Sequence, residues 1–275
     1  MNFGNSTTRM KVLSGNFRRG LLAFTLIELL LVITIIGILA ALGLPHLKGW
    51  GDSNAMSSGT QQLLDDLALA RQRALSTRST VYVVFVSPAV ANPATYNPLS
   101  TEEKRKRAGL FSGQFTTYAL YSPRSVGDQP GRPNERYLTP WKSLPDKIFI
   151  APDKFIEVNE STRFSSFNET NRPFAIETNG FPFPTVTSPR LALPYLAFNS
   201  QGQLISEQNP FGQHDGAIIP LTQGSIFYAR DREGNLLLGA ADVVETPAGN
   251  SRTNFNHIRV EWLTGRARLE RREFP

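Results

Sequence analysis

Residues 20–44 read GLLAFTLIELLLVITIIGILAALGL, with Glu28 as the only charge. From Phe24 to Leu44 fourteen residues are Phe, Leu, Ile or Val. A bilayer core takes about 20 apolar residues as a helix, whereas a signal-peptide apolar region is usually about 7–15 long. At roughly −0.3 to −0.6 kcal/mol each, these side chains outweigh one carboxylate of about +3 at a helix centre. The segment is therefore expected to be a transmembrane helix. Arg9, Lys11, Arg18 and Arg19 precede it with no acidic residue between them. The positive-inside rule then puts the N-terminus in the cytoplasm and the body across the membrane. Glu28 stands out, because an ionisable group in a span needs a reason. Two readings stand for it. It is either protonated or snorkelling near the interface, or it meets a partner from outside the span.

Outside this segment the composition excludes more than it assigns. The chain has 275 residues, enough for one or two domains. It has no cysteine, hence no disulfide, thiol nucleophile or Cys-ligated metal. His46, His214 and His257 are far apart in sequence, which argues against a His-rich metal site. No cofactor is expected. The net charge is +6, and without the four basic residues near the N-terminus it is +2. The body is not a strongly basic protein. No G-x-S-x-G, H-E-x-x-H or Gly-rich phosphate loop occurs, so the chain reads as a non-enzyme. A twin-arginine signal at Arg18-Arg19 is a poor fit, because the apolar run is too long.

After Pro45 a Gly/Ser-rich patch, 49–59, is expected to bend or loosen the helix. Leu63, Leu67, Ala70 and Ala74 then form an i, i+4, i+7, i+11 stripe, with Asp65, Asp66, Arg71 and Arg73 mostly off it. This predicts an amphipathic half packed on a globular domain, to about Ser76. Strands are expected at 81–86, 110–121 and 148–150. A hairpin is expected over 195–205, turning at Ser200-Gln201-Gly202. Residues 88–108, including the charged run 102–107, and 122–140 read as loops, and 159–194 resists assignment. The turn Asp231–Asn235 has too few spaced oxygens for calcium. A last hairpin is expected over 258–271. With Thr264-Gly265 as a two-residue loop, Glu261 faces Arg268, Trp262 faces Ala267, Val260 faces Leu269 and Arg259 faces Glu270.

Ala23-Phe24-Thr25-Leu26-Ile27-Glu28 resembles the prepilin processing motif of type IV pilins and type II secretion pseudopilins. The resemblance implies cleavage by a prepilin peptidase between Ala23 and Phe24 and N-methylation of Phe24. Glu28 becomes fifth in the mature chain and attracts the N-terminal amine of a neighbouring subunit during assembly. Pro45 falls where such helices often carry a proline and a kink. Ala23 departs from the glycine usual before the cut. Leu67–Ala74, Leu196–Gly202 and Thr264-Gly265-Arg266 are similar to segments of GspH/FimT-type minor pseudopilins. The implied fold is α+β: a long N-terminal transmembrane helix continuing into a helix packed on a C-terminal antiparallel β-sandwich, pilin-like. The implied organisation is a leader at 1–23, a transmembrane half at 24–44, an amphipathic half at 45–78 and a β-rich periplasmic domain at 79–275. The implied partners are prepilin peptidase, other pilins or pseudopilins and the inner membrane. The implied role is a structural subunit of a secretion pseudopilus or a type IV pilus-like filament. The alternative is a DNA-binding minor pilin for uptake. Gly265-Arg266-Ala267-Arg268 resembles a Gly-Arg-x-Arg element of some FimT-type proteins, with Arg271 and Arg272 beyond it.

Overall fold

A computed structural model describes residues 25–124, 127–128, 134–155, 176–205, 216–253 and 256–271. Two compact units are distinguished, Met1–Lys48 and Gly49–Pro275. The leader, Ala23 and Phe24 lie outside the described residues, as do residues 159–175.

Helix α1 spans Leu26–Thr77. Within the first unit its side chains are apolar on every side and exposed from Leu26 to Leu39. Among the described residues no helix is long and apolar enough to cross a membrane. This overturns the expected transmembrane half. It also removes the basis for a single-pass inner-membrane placement with a cytoplasmic N-terminus and a periplasmic body. α1 carries Glu28 in its first turn and runs on without a break into the polar residues of its second half, to Thr77.

In the second unit the Gly/Ser-rich patch does not loosen α1, which stays helical through it. Gly59 has a packing reason. A Cβ there would meet Ile148 and Pro145 side-chain atoms at 3.2 Å. The helix ends beyond the expected stripe. Ser79 N donates to Ala74 O at 3.3 Å with Arg78 at φ +50, the 6→1 bond that closes a helix through a left-handed residue. Leu63, Leu67, Ala70 and Ala74 are fully buried. Each leucine contributes roughly 1.5–3 kcal/mol by leaving water.

The body is two antiparallel sheets. The first contains β1 (Val81–Phe85), β2 (Thr117–Ser122), β3 (Arg136–Tyr137), β4 (Lys142–Ser143), β6 (Glu177–Pro182), β7 (Arg190–Phe198) and β8 (Leu204–Ile205), with path β3-β2-β1-β7-β6. The second contains β5 (Ile148–Ile150), β9 (Ala217–Phe227), β10 (Asp242–Glu245), β11 (Asn256–Val260) and β12 (Ala267–Arg271). The core between them takes the α1 stripe, Val81, Val83 and Phe85 of β1, Ile219 and Leu221 of β9, and Ile258 and Val260 of β11.

The other face of the first sheet is also covered. Tyr82, Val84 and Val86 join Tyr121, Phe181 and Tyr195 in a second core. Residues 88–108, expected as a loop, fold over it as a 3-10 turn (Pro88–Ala91), α2 (Pro93–Tyr96) and α3 (Thr101–Ala108). Arg107 ties them down from a site only 3% exposed. Its guanidinium donates to the carbonyls of Val90 (2.7 Å), Ala89 (2.8 Å) and Thr95 (3.2 Å) and to Thr95 Oγ1 (2.7 Å).

Lys154 is 2% exposed, and its ammonium has no hydrogen bond or ion pair among the described residues. Burial pushes it down to about 7. The unfolded chain then holds a proton that the folded chain sheds between pH 7 and the ordinary lysine value. Native stability rises with pH across that window and is lost as pH falls through it. Lys154→Met is expected to stabilise the protein by about 2 kcal/mol at pH 7, because an unpaired buried charge is removed. The advantage should shrink at pH 9. Paired thermal melts at the two pH values check this, and an advantage that grows at pH 9 would be the wrong sign.

Candidate assembly helix and C-terminal hairpin

The first turn of α1 carries the residues singled out near the N-terminus. Thr25 precedes the helix, and its Oγ1 accepts from Glu28 N at 3.3 Å. Thr25 O accepts from Glu28 N and Leu29 N, each at 3.1 Å. Thr25-x-x-Glu28 therefore has the sequence of a capping box with the serine-type half made. A carboxylate three residues into a helix also opposes the positive end of the helix dipole. Glu28 is exposed. Eleven large apolar side chains accompany it, from Leu26 at 82% exposed to Leu39 at 64%. Pro45 lies inside helical backbone of α1.

The terminal hairpin forms, but its register is two residues from the expected one. Val260 faces Ala267, Arg259 faces Arg268, Ile258 faces Leu269 and His257 faces Glu270. The connection is longer than two residues. Gly265 N donates to Glu261 O at 2.8 Å, and Glu261 N to Arg266 O at 3.0 Å. A two-residue shift preserves which face each side chain takes, so the charged face stays together. The expected ion pairs survive as diagonals: Arg259 Nε to Glu270 Oε2 at 2.6 Å and Arg268 Nη1 to Glu261 Oε1 at 3.3 Å. Arg266 is exposed. Arg271 closes β12 opposite Asn256, and Arg272 lies outside the described residues.

The segments Leu67–Ala74, Leu196–Gly202 and Thr264-Gly265-Arg266 meet at one place. Arg71 Nε of α1 donates to Thr264 O at 2.6 Å. Leu204 N donates to Trp262 O at 2.9 Å. Gly202 sits at φ +73, and a Cβ on it would meet Leu75 and Arg71 atoms at 3.1–3.2 Å. Gly265 sits at φ +60, and a Cβ on it would lie 2.0 Å from Gly202 O. The two turns approach backbone to backbone, and the helix meets them through the Arg71 and Leu75 side chains. Gly265, the first residue of the Gly-Arg-x-Arg element, thus has a packing reason of its own.

One polar cluster was missed in the sequence. Asp66, read as mostly off the buried face, is 4% exposed. It accepts from Tyr118 Oη (2.7 Å) and pairs with Lys142 Nζ (2.6 Å). Gln62 Nε2 donates to Tyr118 Oη at 3.1 Å and to Ser143 O at 3.0 Å. The carboxylate is paired and hydrogen-bonded, as a buried charge must be. The cluster pins α1 to β2 and β4. Burial, then the bond to Asp66, pushes the Tyr118 phenol upward and keeps it a donor at neutral pH. Elsewhere, Asp231 accepts from Glu233 N (2.9 Å), Asn235 N (2.8 Å) and Asn235 Nδ2 (2.9 Å), a self-contained turn. Among the described residues no group of three or more His, Asp or Glu could hold a metal.

A scan against protein-family models, a search of curated proteins and a search of solved structures each return no match.

Proposed function

We propose that the chain is a structural subunit of a pilin-type filament, in a type II secretion pseudopilus or a type IV pilus-like assembly. The observation that supports this reading most is the helix surface from Leu26 to Leu39, apolar all round and exposed in the isolated chain. A helix apolar on every side is a helix that becomes buried. Contiguous exposed apolar surface of this extent marks an interaction site. Like helices from other copies would supply that burial. The processing motif supports the same reading: a prepilin peptidase would free the Phe24 amine, and Glu28 would attract that amine from the neighbouring copy. Attraction between unit charges strengthens as surrounding helices exclude water.

The DNA-binding alternative draws on Arg266, which is exposed, while Arg268 is engaged by Glu261 of the same hairpin, as Arg259 is by Glu270. Phosphate contacts need guanidiniums that are free to neutralise them.

Mass spectrometry of the protein from its native cell tests the first step. A mature chain that starts at Phe24 is the expected result, and a chain that retains residues 1–23 would overturn the reading. Glu28 tests the second step. Glu28→Gln keeps a side chain able to serve the helix start but removes the charge. Filament incorporation is expected to fall at least about tenfold, the equivalent of ~1.4 kcal/mol per contact, while folding of the body is unchanged. Since the chain has no cysteine, paired cysteines placed along 26–39 report helix contacts between copies. Equal incorporation of Glu28→Gln and wild type would leave Glu28 as a helix cap only.

A further inference from the structure

Strand β9 changes partners along its length and leaves part of one edge open. In an antiparallel ladder successive residues turn their main-chain groups to alternate sides. Gln223 O accepts from Thr246 N at 2.8 Å, so residue 223 faces the β10 side. Gly224 N donates to Lys147 O at 2.9 Å, so residue 224 faces the β5 side. The pairing with β10 continues as Ser225 with Val244, Ile226 with Val243 and Phe227 with Asp242. Alternation then turns the N–H and C=O of Ile226 to the β5 side.

Among the described residues no strand meets them there. β5 pairs with β9 only over Leu221–Gln223. Extending that register would bring Pro145 opposite Ile226, and proline has no N–H to give. The chain has in any case turned off. Lys147 stands at φ +67, and Ile148 N donates back to Pro145 O at 3.1 Å. The gap is a cleft of about 450 Å³, whose lining includes Ser112, Thr116, Ser143, Asp146, Ile226 and Tyr228.

We propose that this cleft receives an extended peptide segment of a partner protein, which adds to the edge of β9 as a strand in line with β5. The recognition element is one main-chain donor beside one main-chain acceptor on the same residue. Only another main chain, without proline at the paired position, satisfies both at once. Asp146 and Lys147 both line the cleft, so its formal charges balance and neither sign of ligand charge is selected. The walls pair hydroxyls of Ser112, Thr116 and Ser143 with the Tyr228 ring, which suits small uncharged side chains. From Ser225 to Tyr228 the edge offers about 10 Å, roughly three residues at ~3.4 Å each. The added strand extends a ladder that already exists, since the bond between Gly224 and Lys147 ends where the peptide would begin. The site lies wholly within the body and does not depend on the filament reading.

The test uses the full chain and random peptides of about twelve residues displayed on phage. Selected sequences are synthesised with capped ends, and amide hydrogen exchange is followed at Ile226. In the free protein this amide should exchange quickly, unlike its ladder neighbours. A bound peptide should slow it at least about tenfold. Ile226→Pro removes the N–H without taking a bond from the β10 pairing, and Ser225→Trp fills the cleft. Each should weaken the peptides at least about tenfold, with wild-type circular dichroism confirming the fold. N-methylation of the peptide at its paired residue should do the same. The proposal fails if the Ile226 amide is already protected in the free chain. It fails equally if selection yields no binder, or if binders hold Ile226→Pro and Ser225→Trp as tightly as wild type.

Discussion

Gly265→Val is expected to destabilise the protein by about 4 kcal/mol or more, the range reserved for substitutions that cannot be accommodated. The cost has two parts. Gly265 sits at φ +60, where a Cβ costs roughly 1–2 kcal/mol and a branched one more. The larger part is contact. The new Cβ would lie 2.0 Å from Gly202 O and 3.1 Å from Phe198 Cδ1. One neighbour is backbone and cannot rotate away. The hairpin must lift, and it would take with it the bonds from Arg71 Nε to Thr264 O and from Leu204 N to Trp262 O. Gly265→Ala meets the same oxygen, because the Cβ is common to both. Urea denaturation of the full chain measures this. A loss under about 1 kcal/mol for either variant would mean that the two turns do not interlock.

Arg107→Met should be the next most damaging change, at about 3–5 kcal/mol. The replacement fills much of the volume but leaves the carbonyls of Val90, Ala89 and Thr95, and Thr95 Oγ1, without their donor. Each buried acceptor so abandoned costs roughly 1–3 kcal/mol unless water reaches it. Arg107→Lys should rescue little. An ammonium is a point charge and cannot serve four acceptors spread around a planar fork. The expected readout is a melting temperature lower by roughly 10 °C. Proteolysis between residues 88 and 108 should begin before the rest of the chain opens. If Arg107→Lys behaved as wild type, the fork geometry would not be what holds the segment.

Much of the body was legible because it obeys two periodicities. The stripe Leu63, Leu67, Ala70 and Ala74 is buried as its 3.6-residue spacing requires. The hairpin over 195–205 and the strand from Val81 follow from apolar runs bounded by turn residues. The last hairpin shows where this kind of reading stops. A shift of two residues keeps every side chain on its face, so alternation cannot distinguish a two-residue loop from the longer one that forms. The helices over 88–108 were readable in part. Ser100 Oγ accepts from Glu103 N at 3.3 Å, and Ser100-x-x-Glu103 is a capping box in sequence. What was hidden is which cation of the charged run goes inward. Arg105 and Arg107 look alike until the carbonyls of a distant turn are placed beside one of them. Asp66 was hidden for the same reason, since its partners Tyr118 and Lys142 come from strands far along the chain. For the candidate site, the apolar run was legible in the sequence, and its side chains from Leu26 to Leu39 are exposed. The membrane expectation rested on that composition alone, and among the described residues no helix meets it.

The first sheet has lining on both of its faces, one from α1 and the second sheet and the other from residues 88–111. That arrangement closes both flat faces of the first sheet to neighbouring molecules. It also alters how sequence drift can proceed along β1. In a sheet wetted on one side, every second residue is free to wander. Here Val81 through Phe85 are all enclosed, so neither odd nor even positions can exchange for polar residues, and change in this strand has to come as matched replacements with whichever layer it touches.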